Sequence, residues 1–209
     1  MLEILYCDKD IAVVIKPVGA ISEDGEGSVP ALIRESLGVN EVYTIHRLDR
    51  EVSGVMVYAL TKRAAAELSR AVADNALEKV YLAVVHGAPA EESGVYTDLL
   101  FKDSKKNKSY VVTRERKGVR RAELSYETLC TKDNRSLVRV KLHTGRSHQI
   151  RVQFSSRKMP LVGDRKYGSE ERCNIALFSH ILSFPYKGKT VTFSANPSGN
   201  VWEEYKGSL

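Results

Sequence analysis

The sequence predicts an α+β fold carried on a mixed, mostly antiparallel sheet, and two observations lead there. Short apolar runs rich in β-branched residues recur along the chain, while only one long stretch has a clear helical period. No internal repeat, low-complexity tract or linker interrupts the 209 residues, so the expectation is a single domain over 1–209, long enough for two lobes.

Residues 2–5 and 11–15 are apolar runs split by Cys7-Asp8-Lys9-Asp10, which reads as strand, turn, strand. Lys16-Pro17-Val18-Gly19 ends the second run, because proline lacks a ladder donor and glycine permits a sharp turn. After a polar loop at 22–28, Ser28 and Pro30 start a short helix that Gly38 stops. A dense polar stretch, His46-Arg47-Leu48-Asp49-Arg50-Glu51-Val52-Ser53-Gly54, then runs into an apolar strand at 55–60. The best helix spans 61–74, with Thr61 as cap, Ala64, Leu68, Ala71 and Val72 as its apolar stripe, and Asn75 closing it. Residues 79–85 read as a buried strand, 109–114 and 120–129 as two more, and 137–142 as an alternating one. Thr144-Gly145-Arg146 is a turn, and Ser147 is expected to cap a helix with Ile150 and Phe154 on one face. Two short strands around Gly188 complete the sheet.

Composition is ordinary for a globular protein, 43% apolar and 28% charged. No run reaches the length of a membrane span and the N-terminus lacks a leader pattern, so neither membrane nor secretion is expected. Cys7, Cys130 and Cys173 are far apart and form no paired spacing, consistent with reduced, packed thiols in a cytosol. The net charge of +6 is uneven: residues 101–121 hold nine Lys or Arg against Asp103 and Glu115, a net of +7 that leaves the rest of the chain at −1. Such a segment is either a polyanion contact surface, with Lys105, Lys106 and Lys108 at its centre, or a solvated hairpin kept soluble by its charges.

Asp49, flanked by Arg47 and Arg50, is either a surface ion pair or a carboxylate held ionised for chemistry. If the chain is extended there, 47 and 49 point to one side and 50 to the other. A second arginine at Arg146, in Thr144-Gly145-Arg146-Ser147-His148-Gln149-Ile150-Arg151, is presented by a turn and is either a partner for a carboxylate or a structural ion pair. His148 and Gln149 also read as a polar pair satisfied within a core. Tyr81 lies in an apolar strand, where core packing with a satisfied hydroxyl is the plainer reading. Pro160 to Gly168, with two glycines bracketing Asp164 and Tyr167, reads as a fixed surface loop, structural more often than catalytic. The five histidines show no metal spacing, and no phosphate loop, dinucleotide fingerprint or serine elbow is present.

Taken in order, "IAVVIKPVG", "HRLDREVSG", "KVYLAVVHG", "LHTGRSHQIRVQF" and "PLVGDRKYG" resemble the RluA-type family of pseudouridine synthases over almost the whole chain. Val52 departs from the family's usual threonine, and Ser22-Glu23-Asp24 stand where many members carry a histidine. The small N-terminal RNA-binding domain of many relatives is not expected, since the strands begin at about Leu2. The resemblance implies a sheet flanked by helices around a central RNA-binding cleft, and isomerisation of uridine to pseudouridine in structured RNA. Ribosomal RNA is the expected substrate and transfer RNA the alternative, without metal or cofactor. It implies Asp49 as catalytic carboxylate, adding to the nucleoside or abstracting a sugar proton. Arg146 would pair with it, Tyr81 would stack on the base, and Arg47 would fill the space of the extruded uridine. His46, His148, Gln149 and Arg151 join Lys105, Lys106 and Lys108 as expected RNA contacts. A monomer is expected. Two competing readings are a non-catalytic RNA- or ribosome-binding protein on the same fold, and a metal-free hydrolase built on His46 and Asp49.

Overall fold

The computed structural model describes residues 2–209, the side chain of Asn200 apart. In chain order the elements are β1 (Glu3–Cys7), β2 (Ile11–Lys16), α1 (Val29–Leu37), β3 (Tyr43–Thr44), β4 (Ser53–Ala59), α2 (Lys62–Ala73), β5 (Glu78–His86), β6 (Ser93–Asp103), β7 (Lys108–Val112), β8 (Val119–Lys132), β9 (Arg135–Leu142), α3 (Gln149–Ser155), β10 (Leu177–Tyr186) and β11 (Lys189–Ser194), with 3-10 turns at Arg165–Tyr167 and Asn200–Ser208. They form two compact units: one built from residues up to Lys79 with Phe178–Pro197, the other from Val80–Leu177 with Ser198–Leu209.

In the first unit the strand order is β1-β2-β4-β10, with β3 also on β4 and β11 on β10. Every pair is antiparallel except β4 with β10, which run parallel through Ser53 opposite Phe178 and Gly54 opposite Ser179. The sheet is therefore mixed. Ile11, Val13, Val55 and Val57 turn one face of this sheet toward Ala64 and Leu68 of α2, with Leu182 and Phe184 completing the core. Alternation along β2 and β4 places these residues on one side, and burying each large aliphatic chain contributes about 1.5–3 kcal/mol. Thr61 accepts from Ala64 N at 3.2 Å and Ser28 from Ala31 N at 3.1 Å, so both helices begin at the caps the sequence marks. Gly38 ends α1 in the left-handed region, where a glycine costs least.

The second unit has strand order β5-β9-β8-β6-β7. Against it packs α3, whose Phe154 meets Tyr96 and Tyr126 at ring centroid distances of 5.3 and 6.0 Å. Residues 149–154 are buried on every side rather than along one stripe. The start of α3 departs from expectation: Ser147 does not cap it. His148 holds the cap position at φ 53°, with no side-chain cap bond. The side chain of Gln149 ties the preceding turn to the helix start instead, its Oε1 accepting from Arg146 N at 2.9 Å and from the Thr144 hydroxyl at 2.8 Å. Cys7 and Cys173 are exposed rather than packed, and all three cysteines are free. No helix among the described residues is long and apolar enough to cross a membrane.

Candidate active site

The polar stretch before β4 has no regular structure as far as Asp49 and then turns, Val52 N donating to Asp49 O at 3.0 Å. Its residues separate by depth. Leu48 is buried and is held from both sides by Ser22, whose hydroxyl donates to Leu48 O at 2.9 Å and accepts from Leu48 N at 3.1 Å. Ser22 stands at one of the positions where the sequence departs from the resembled family, and here it pins the residue before Asp49. Asp49 is half-buried, while Arg47 and Arg50 are exposed. Arg47 forms a surface pair with Glu23 at 2.8 Å. Arg50 donates through Nε to Gly19 O at 2.9 Å, and Gly19 N returns a bond to Arg50 O at 2.8 Å. Beneath the turn lies Lys16, fully buried, with Nζ against the carbonyls of Arg50 and Val52. Sequence reasoning missed Lys16 and Ser22, because a lysine closing a strand and a serine in a polar loop carry no local sign of burial.

His46 lies inside, not at an RNA-facing surface. Its Nε2 accepts from Val57 N at 3.3 Å, and burial, with the Lys79 charge second, pushes the imidazole down to about 3. It is neutral at physiological pH and ties the stretch ahead of β4 to Val57 within that strand.

In the second unit Tyr81 is 5% exposed within β5. Arg146 is exposed at the end of the 143–146 loop, and its Nε donates to Arg121 O at 3.0 Å. That loop is laced to β8: Glu123 N donates to the Thr144 hydroxyl at 2.9 Å, and Gln149 Nε2 to Glu123 O at 3.0 Å. So Gln149 is a structural brace rather than an exposed RNA contact. The same holds for His148 and Arg151. His148 Nδ1 sits 2.9 Å from the Tyr167 hydroxyl, and Arg151 is bonded at 2.6 and 2.9 Å to the two oxygens of Asp164, which is wholly buried. Burial holds the Tyr167 phenol up at about 12, so it stays a neutral partner. The 160–168 loop is held by buried residues at 161–164 and Tyr167 rather than lying wholly on the surface, with Arg165, Lys166 and Gly168 exposed.

The basic segment is a hairpin and the loop after it. Lys105 and Lys106 are exposed at the β6–β7 turn, where Asp103 accepts from both their backbone N–H groups. Lys108 is half-buried, its ammonium 5.1 Å from the Tyr167 ring centroid. An open groove beside the hairpin is lined by Leu99, Glu115, Arg116, Val119, Arg120 and Arg121, and the Arg116 guanidinium lies over the Phe101 ring at 4.7 Å. Three arginines around one groove, next to the arginine that touches Arg121 O, make a surface suited to phosphates. No group of acidic, histidine or cysteine side chains that could hold a metal is found among the described residues.

Residues 10–156 match a family model described as RNA pseudouridylate synthase. The chain is 35% identical over 204 residues to the dual-specificity RNA pseudouridine synthase RluA of Escherichia coli strain K12, covering 93% of this chain and 92% of that one. It is 31% identical over 219 residues to the ribosomal large subunit pseudouridine synthase D of Zymomonas mobilis, covering 93% of this chain and 68% of the relative. In fold it is similar to human RNA pseudouridylate synthase domain containing 1, with a TM-score of 0.82 at 24% identity over 94% of this chain and 84% of that one.

Proposed function

The chain belongs to the RNA pseudouridylate synthase family and is an isomerase acting on RNA, and on that premise we propose that Asp49 is its catalytic carboxylate and a ribosomal RNA stem-loop its substrate. The observation that supports this most is the turn at 49–52. It presents a half-buried carboxylate on a backbone tied down through Leu48, Arg50 and Val52, as a group that must be aimed requires. The N-glycosidic bond of the target uridine breaks, the uracil turns, and a carbon–carbon glycosidic bond forms. The ring carbon gives up its proton and the ring nitrogen takes one, so nothing is gained or lost overall. Asp49 takes part by adding to the nucleoside or by taking a sugar proton. Tyr81 and Arg146 keep the roles the resemblance implies, stacking on the base and guanidinium support of the carboxylate chemistry.

The target base must leave its stack before its glycosidic bond is reachable. Exposed Arg47, paired at the surface with Glu23, is the side chain proposed to occupy the space it leaves. The arginine-lined groove and the Lys105–Lys106 turn are proposed to contact phosphates, in place of the buried His46, His148, Gln149 and Arg151.

The test is pseudouridine mapping of total RNA from cells with and without the gene, restored with wild type or with Asp49→Asn. Sites in ribosomal RNA that vanish and return only with wild type are expected. Sites confined to transfer RNA would overturn the substrate and leave the carboxylate; restoration by Asp49→Asn would overturn the carboxylate.

A further inference from the structure

In an exposed arginine–carboxylate pair water competes for both ends, so the pair is weak and exchanges readily with other anions. Arg47 and Glu23 form such a pair, Nη1 donating to Oε2 at 2.8 Å, with side chains 62% and 63% exposed. Both backbones beneath it are fixed. Arg47 stands between His46 and Leu48, both buried and bonded to Val57 N and to the Ser22 hydroxyl. Glu23 stands between two anchored neighbours. The Ser22 carbonyl accepts from the hydroxyls of Tyr58 at 3.0 Å and Thr44 at 3.1 Å, and Asp24 meets Arg34 of α1 at 3.0 and 2.6 Å. Fixed stems leave side-chain rotation as the freedom of the pair, so the guanidinium has an anchored resting place two positions before Asp49 in sequence.

We propose that Glu23 is a positioning residue that acts through Arg47: it holds the guanidinium while no RNA is bound and yields it to the negative charge that RNA brings. The inference rests on the reading of Arg47 as the side chain that fills the space of the extruded uridine. Glu23 carries a charge of the same sign as the phosphates, so it is repelled as RNA arrives while Arg47 is drawn in. The exchange swaps one anionic partner of Arg47 for another and never strands its charge. An RNA that brings no anionic groups to that place leaves the pair closed. The neighbours are committed elsewhere, Ser22 to Leu48 and Asp24 to Arg34.

The pair changes how binding responds to salt. An arginine already neutralised by a carboxylate gains a phosphate only by releasing that carboxylate, which then takes up a cation from solution. The counterion set free from RNA is thereby offset, and Arg47 adds little to the salt slope. Without the carboxylate, Arg47 counts as a full contact, about 0.7–0.9 in slope. A pair that merely braced the surface would shift the melting point and leave this slope alone.

The experiment measures tritium release from total RNA of cells lacking the gene, labelled with uridine tritiated at C5. Wild type, Glu23→Gln, Arg47→Met and the double variant are compared from low to moderate salt, with thermal melts alongside. Glu23→Gln is expected to lower the apparent KM about two- to fivefold at low salt, the reach of an exposed pair, with kcat little changed. Its log(kcat/KM) is expected to fall more steeply with log salt, by about 0.7–0.9. In the Arg47→Met background the same substitution is expected to do neither. A KM or a salt slope unmoved by Glu23→Gln overturns the exchange. So does an equal drop in KM with Arg47→Met in place, which would make Glu23 one more negative charge near RNA. Full kcat in Arg47→Met overturns the reading of Arg47 itself, and is told apart because Glu23 is intact in that variant.

Discussion

A guanidinium sealed from water is tolerable only beside a carboxylate that meets it squarely, and Arg151 and Asp164 do so, 2% and 0% exposed at their side chains and joined through two bonds. Arg151 also lies 5.2 Å from the centroid of Tyr167, whose hydroxyl contacts Ser109 and His148. Removing one charge strands the other. Asp164→Asn should therefore cost about 3–5 kcal/mol, read as a lower urea midpoint at unchanged slope. A loss under 1 kcal/mol would show that the pair does not hold this corner. The case also marks what single residues disclose from sequence. Asp49 stands out in the sequence because it is flanked by charges at the mouth of an apolar strand, and its role remains a proposal. For His148 and Arg151 the resemblance implied RNA contacts, while the residues themselves left a core reading open for His148, because a charged residue in a polar motif carries no mark of depth. Burial is set by the helix and loop that fold over them, which adjacent residues do not encode.

Among the elements, the first two strands, α1 and α2 were legible because each carries its own stop and start: Ser28 and Thr61 as caps, Gly38 as the left-handed exit. β6 was not, because Asp98, Lys102 and Asp103 break its apolar pattern and Val95 faces water, 61% exposed. Its strand identity comes from pairing with β8 and β7 on either side, a non-local fact. The parallel pairing of β4 with β10 is equally non-local, and it turns on Gly54 at φ 123°. A Cβ there would lie 2.4 Å from Ser179 O, a backbone atom that cannot swing away. Gly54→Ala should thus combine backbone strain of about 1–3 kcal/mol with separation of the two strands directly behind the 49–52 turn. A melting point lower by several degrees together with reduced turnover is expected. Gly38, at φ 66° with open space around it, is the control: alanine there meets only the backbone strain and should leave turnover unchanged. Equal effects at both glycines would mean that the close approach at Ser179 carries no weight.

For the molecule as a whole, the proposed RNA contact follows the uneven charge. A net of +7 within 101–121 against −1 elsewhere concentrates the attraction on one hairpin, and the exposed Lys105 and Lys106 with the groove of Arg116, Arg120 and Arg121 are its free faces. Binding driven by phosphate neutralisation releases counterions, so affinity falls with salt in proportion to the number of contacts, with a slope of about 0.7–0.9 per phosphate. Replacing Lys105, Lys106 and Lys108 with glutamine should weaken binding of a ribosomal RNA stem-loop and flatten that slope. The three are not equivalent. Among the described residues Lys105 and Lys106 are exposed and in no ion pair, whereas Lys108 is half-buried over the Tyr110 and Tyr167 rings at 5.7 and 5.1 Å. Its ammonium is partly committed to packing, so the flattening should be closer to two contacts than to three, about 1.4–1.8 in slope. Filter binding between low and moderate salt measures it, with melts to separate the packing loss at Lys108 from the electrostatic one. An unchanged slope would place the phosphate path elsewhere, and the groove arginines would then be the next to neutralise. A change of three full contacts would mean that Lys108 leaves the tyrosines to meet RNA, making the hairpin's inner face part of the binding surface.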